Sequence, residues 1–142
     1  MQYSTILISL LATAVSAAPA PVSARADVKP WVFKSFTRTC NAADTACTVS
    51  FGIDTQTGHG DIACKYTVQG APASRAHAAA SCGPFTVTSD WSGQFGDDKG
   101  FTTWAVVDTN KQIAFPSYPD SDLVNGKAVS PDRAFAPQTI WW

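Results

Sequence analysis

From Trp31 onward, alternation of apolar and polar residues dominates the chain. In 48–54, Thr-Val-Ser-Phe-Gly-Ile-Asp, every second residue is apolar, which puts Val49, Phe51 and Ile53 on one face of a strand. Residues 62–68 repeat the pattern with Ile62, Cys64, Tyr66 and Val68. Between these segments Gly58 and Gly60 sit in a polar stretch that suits a hairpin loop. Residues 31–39 are rich in β-branched and aromatic side chains with partial alternation, which predicts another strand, and 41–46 carry turn chemistry. Strand patterning returns at 85–91, 101–107 and 112–115. The last two flank Asp108-Thr109-Asn110-Lys111, and a turn centred between Thr109 and Asn110 pairs Val106 with Ile113 and Trp104 with Phe115.

Helical periodicity is scarce. Only 70–83 tolerates a helix, with Ser74 as an N-cap and Gly83 as a stop, and a short helix or an ordered loop both fit. Residues 118–126 have Pro119 and Asp120 early and Gly126 late, which suits one helical turn or a compact loop. A short strand is expected at 127–129, a turn at 130–133, and a last strand within 134–140 that Pro137 confines to a sheet edge. Roughly seven or eight short strands with so little helix predict a single all-β domain, either a small β-sandwich or a barrel. Its core should contain Val49, Phe51, Ile53, Tyr66, Val68, Val87, Trp104, Val106, Ile113 and Phe115, which all lie on matching alternating faces.

The beginning of the chain follows other rules. Residues 1–17 carry no charge, and the run Ile6-Leu7-Ile8-Ser9-Leu10-Leu11 precedes small residues ending at Ala17, which reads as a secretory signal peptide. Residues 18–29 are small and Pro-containing and read as a flexible tail, leaving 30–142 as the β domain. The expected product is secreted and extracellular, and no apolar run reaches the roughly 18 residues of a membrane span.

Charge and cysteine content narrow the chemistry. Ten basic residues against eleven acidic ones give a net charge of −1 without any basic run, which excludes nucleic-acid binding driven by phosphate neutralisation. All eleven acids are Asp, so Glu-based acid–base chemistry is absent and turns are favoured over helices. Cys40, Cys47, Cys64 and Cys82 follow the signal, and two disulfides are the expectation for a secreted chain. Their spacing contains no Cys-x-x-Cys and neither histidine has a zinc-finger partner, so no metal site is expected. Four cysteines allow three connectivities. A hairpin of 31–39 with 48–53 sets Cys40 opposite Cys47 within bridging distance, which leaves Cys64 for Cys82.

Candidate catalytic groups do not converge. Asp97 and Asp98 in Gly96-Asp-Asp-Lys-Gly100 invite comparison with a carboxylate dyad or metal clamp, but a type I turn with Gly100 in the left-handed region accounts for the same residues. Asp120 and Asp122 have the same double reading. Nothing in the sequence brings His59 and His77 together or joins either to a carboxylate in one cleft, and no Gly-x-Ser-x-Gly elbow occurs. No catalytic residue and no cofactor is therefore expected. Five tryptophans invite a sugar-binding reading, although Trp31, Trp91 and Trp104 lie in strand patterns where core packing is the simpler account. Trp141 and Trp142 are expected to dock on the sheet, because an exposed pair would promote aggregation.

The segment Trp91-Ser-Gly-Gln-Phe-Gly-Asp-Asp-Lys-Gly-Phe-Thr-Thr-Trp-Ala-Val-Val-Asp108 resembles the hypersensitive-response-inducing elicitors of filamentous ascomycetes. Phe115-Pro-Ser-Tyr-Pro-Asp-Ser-Asp-Leu-Val-Asn-Gly-Lys-Ala-Val-Ser-Pro-Asp132 and Ala136-Pro-Gln138 are similar to the same group. The mould-spore allergens are a more distant comparison whose cysteine spacing does not match. The elicitor resemblance implies a non-enzymatic monomer recognised by a plant surface receptor or an apoplastic protein, with hypersensitive-type cell death as the outcome. It carries no site motif. Exposed turns are where a rigid sheet presents a contact, so Gln94, Asp97, Asp98 and Lys99 together with Tyr118, Asp120 and Asp122 are the candidate partner-binding residues. A module binding cell-wall polysaccharide and a small secreted hydrolase are the competing classes.

Overall fold

The computed structural model describes residues 28–141, and its first strand is β1, Trp31–Cys40. The expected signal peptide, most of the expected tail and Trp142 lie outside the described residues. β1 pairs antiparallel with β2, Ala46–Asp54, and the register slips by one residue between Lys34 and Thr37. Ser35 occupies this bulge with a φ of 50°, and its amide donates to Asp132 Oδ1 at 2.9 Å. The extra residue explains the partial alternation of the sequence, since Phe33 and Phe36 both point inward across it. β2 continues antiparallel into β3, Ile62–Gln69, and β9, Arg133–Phe135, adds to the other edge of β1, giving the order β3-β2-β1-β9.

The second sheet contains β4, Ala78–Cys82; β5, Phe85–Ser92; β6, Phe101–Val107; β7, Gln112–Ala114; and β10, Gln138–Thr139. Its order is β10-β7-β6-β5-β4, and β8, Ser117–Pro119, pairs with the other half of β6. The two sheets form a β-sandwich around one aromatic core. Phe36 stacks on Phe51 with centroids 4.8 Å apart and on Tyr118 at 4.3 Å, and meets Trp104 edge-on at 4.6 Å. The Trp104 indole N–H donates to Tyr66 Oη at 2.8 Å, a cross-sheet bond that satisfies the polar end of a buried ring. Disulfides join Cys40 to Cys47, directly opposite each other on β1 and β2, and Cys64 on β3 to Cys82 on β4. The second ties an edge strand of one sheet to an edge strand of the other. By loop-closure entropy the two bridges contribute about 2.5 and about 3.2 kcal/mol.

Several expectations need correction. The β6–β7 turn has three residues between Asp108 and Gln112, with Lys111 at a φ of 61°, and Asp108 N–H donates to Gln112 O at 3.0 Å. Val106 therefore pairs with Ala114 and Val107 with Ile113, one residue away from the predicted register. A single-residue slip reverses every side chain, so Ala114 is buried while Phe115 is 46 % exposed and Ile113 only half-buried. The remaining predicted core residues are buried, Tyr66 partly so. Residues 70–83 hold no α-helix. A 3-10 turn at Ala73–Arg75 leads into β4, and Gly83, at a φ of 55°, begins the tight turn to β5. Cross-strand pairing overrides the helix tendency of the alanines, and Ser74 bonds to Asp44 instead of capping. Residues 127–129 are not a strand, and the last predicted strand divides at Pro137 into β9 on one sheet and β10 on the other. Trp141 is 80 % exposed and does not dock on the sheet, although the neighbouring Ile140 N–H bonds to Lys111 O at 2.8 Å.

Trp104→Ala should lower unfolding free energy by about 3 to 5 kcal/mol in urea titration, since it empties the centre of the aromatic cluster and removes one hydrogen-bond partner from the Tyr66 hydroxyl.

Candidate functional site

The partner-binding residues expected from sequence come from separate turns, and a buried arginine brings their loops together. Arg38 lies on the inward face of β1 and is only 9 % exposed. Its Nη2 donates to Asp120 Oδ1 at 3.2 Å and its Nη1 to Ser74 O at 3.2 Å. A buried cation requires such a counter-charge and filled donors. The other carboxylate oxygen of Asp120 accepts from the Trp91 indole N–H at 2.8 Å, and Asp120 N–H donates to Gly100 O at 2.9 Å. One aspartate thus links β1, the end of β5, the start of β6 and the segment after β8.

Gly100 is part of this contact. A Cβ there would lie 2.6 Å from both Asp120 Oδ2 and Trp91 Cζ2, so only glycine permits the approach. Its φ of −61° corrects the expectation of a left-handed Gly100; the glycine of this loop with a positive φ is Gly96, at 108°. Residues 97–99 form a 3-10 turn, closed by Gly96 N–H to Gly93 O at 2.9 Å and Lys99 N–H to Gly96 O at 3.0 Å. Arg75 completes the surface: its guanidinium covers the Trp91 ring at 4.3 Å and lies 3.7 Å from Asp97. Asp44 holds the Arg75 loop by accepting from Ser74 N–H and the Ser74 hydroxyl.

Gln94, Asp97, Asp98 and Lys99 are exposed on this surface. Asp120 is committed to Arg38 and Trp91, and Asp122 bonds to Arg133 Nη2 at 2.6 Å, so both act in holding the loop. Tyr118 is 1 % exposed and stacked on Phe36, and this removes it from any contact surface. Burial pushes its phenol up to about 12. Burial also raises Tyr66, with the Trp104 hydrogen bond pulling the other way. The residue that sequence reasoning missed is Phe95, 65 % exposed on the 93–96 turn and stacked on Phe101 at 6.1 Å. The signal was a phenylalanine between turn glycines with no place in an alternating strand.

The catalytic candidates end up in open positions. His77 Nδ1 meets Asp90 Oδ1 at 2.8 Å, a pairing that the β4–β5 register creates and the sequence had not suggested. Both side chains are largely exposed and line neither cavity. His59 lies in the β2–β3 loop at the other end of the sandwich. The one three-residue donor cluster among the described residues, Cys40, Asp44 and Cys47, has both sulfurs consumed in a disulfide.

A family model described as Effector TSP1 matches residues 32–140, a span that includes every strand except the first residue of β1. The chain is 42 % identical over 147 aligned residues to a protein named Effector TSP1 from Hypocrea virens (strain Gv29-8 / FGSC 10586), with 99 % of each chain covered. The chain belongs to the Effector TSP1 family. It is accordingly a member of a fungal effector family, and its two disulfides are consistent with secretion. All the loops of the surface described above fall within the region matched by the Effector TSP1 family. No helix among the described residues is long and apolar enough to cross a membrane.

Two measurements check the geometry. Asp120→Ala should cost about 2 to 4 kcal/mol because it strands Arg38 and the Trp91 N–H, whereas Asp122→Ala, beside a more exposed arginine, should cost under about 1 kcal/mol. The reverse order in thermal melts would show that the Asp122–Arg133 contact, and not Asp120, is the main hold on the loop. Because the folded Tyr118 value lies above the roughly 10 of an unfolded tyrosine, its contribution to stability is complete below pH 10 and is lost as pH rises towards 12. Phenolate absorbance should register Tyr118 only at that alkaline end.

Proposed function

We propose that this protein is a secreted fungal effector perceived by plants, acting outside the cell by contact and inducing hypersensitive-type cell death without catalysis. The observation that carries the reading is the joining of the 93–100 and 118–126 loops through Asp120, Gly100 and Trp91. Two turns distant in sequence become one rigid surface, and rigid loops on a sheet lose little entropy when a partner binds. The exposed Phe95 ring adds an aromatic anchor of the kind that dominates protein contacts. The partner is a plant surface receptor or an apoplastic protein. A sugar platform has less support, because Trp31 and Trp104 are buried and Arg75 covers Trp91. Hydrolysis has only the open His77–Asp90 pair in its favour.

Leaf infiltration with purified protein, read as ion leakage, tests this. Wild type and His77→Ala should be equally active, while replacing residues 94–99 with a Gly/Ser loop of equal length should reduce activity by about tenfold or more with an unchanged circular dichroism spectrum. An inactive wild type would end the cell-death reading. Loss in His77→Ala with the loop variant still active would instead favour catalysis.

A further inference from the structure

At the end of the sandwich away from the Phe95 surface, an open cleft of about 630 Å³ lies between the two sheets. Its walls are the β2–β3 loop, the β4–β5 turn at Pro84, the β6–β7 turn and the chain entering at Val28 and Lys29. The volume is that of a site for one small organic molecule, and the mouth between sheets is a common place for such a site. Ile62, Pro84 and Val28 give it aliphatic walls above the edge-to-face pair Trp31 and Phe85.

The charges in the cleft are unequal in availability. Asp108 Oδ1 already accepts the N–H groups of Asn110 at 2.8 Å and Gln112 at 2.9 Å, so this carboxylate serves the turn. Lys29 has no ion pair among the described residues, and the side chains of His59 and Asn110 have no hydrogen-bond partner there. Lys29 is therefore the charged group of the cleft that no protein group holds, and the side chains of His59 and Asn110 can each turn an N–H donor toward a ligand seated beside it. Carbohydrate fits poorly, because a sugar needs an open aromatic face and Trp31 and Phe85 are each only 3 % exposed.

We propose that this cleft binds a small amphipathic acid, with the apolar body against Ile62, Pro84 and Val28 and the acidic head at Lys29. The contact is reversible and needs no chemical step. It stands independently of the Phe95 surface.

Octanoate, octylammonium and chitotetraose give a direct test by 15N NMR titration of the purified protein. Octanoate should bind with a dissociation constant of about 1 mM or tighter and shift the Trp31 indole and Lys29 amide signals while leaving Trp91 unmoved. Octylammonium, with the same chain and the opposite head, and the neutral tetrasaccharide should not bind. Lys29→Glu should weaken octanoate by about tenfold, and Thr57→Trp, which fills the cleft from an exposed loop, should abolish binding. Both sites are exposed, so neither variant threatens the fold. Absence of octanoate binding, equal binding of both head groups, preference for the tetrasaccharide or indifference to Lys29→Glu would each overturn the proposal.

Discussion

Phe36 and Arg38 face inward because β1 carries one residue more than β2 across the step from Lys34 to Thr37. With strict alternation from Phe33, the inward row would continue as Ser35, Thr37 and Thr39, and Phe36 would point to solvent. The bulge instead puts an aromatic ring where Phe51, Trp104 and Tyr118 converge from both sheets. It also aims Arg38 at Asp120. The same backbone irregularity thus sets the core and positions the surface loops, with Asp132 holding the bulged Ser35 amide from a distant part of the chain.

The two ends of the sandwich are built by different physics. At the end carrying Phe95, polar groups do the joining: buried Arg38 and the half-buried Asp120, Trp91 indole and Asp44–Ser74 contact link four segments through part-buried hydrogen bonds. Such a network is costly to leave half satisfied, which fixes the loops in one arrangement. At the other end Trp31 and Phe85 seal the core, and above them the loops stay apart and leave a cleft. One end therefore carries loops held together by hydrogen bonds beside an exposed phenylalanine, and the other an open cleft.

A small β-sandwich must hold its two sheets together and protect the edges of its strands. The pairing of Cys64 with Cys82 meets the first need by tying two sheet edges that share no backbone ladder. Pro119 and Pro137 stand where short strands end or divide, which limits the unpaired backbone that would otherwise invite edge-to-edge association.

The sequence by itself determined the all-β class, the two hairpins β1–β2 and β2–β3, most of the core and, through the β1–β2 pairing, the Cys40–Cys47 bridge. These follow from local pattern: period-two alternation fixes which side chains share a face, and a short turn fixes which residues oppose. Where the turn length was misread, as at Asp108 to Gln112, the same rule carried the error through Ile113 and Phe115. The Ala-rich β4 was hidden because alanine has no strand signature of its own, and only pairing with β5 makes it a strand. Residues 94 to 100 and 118 to 126 were legible as turns, but their union through Asp120 was not, nor was the burial of Tyr118. Those features depend on contacts between residues as far apart as Arg38 and Asp120, and local periodicity carries no information about which distant partner a buried charge will find.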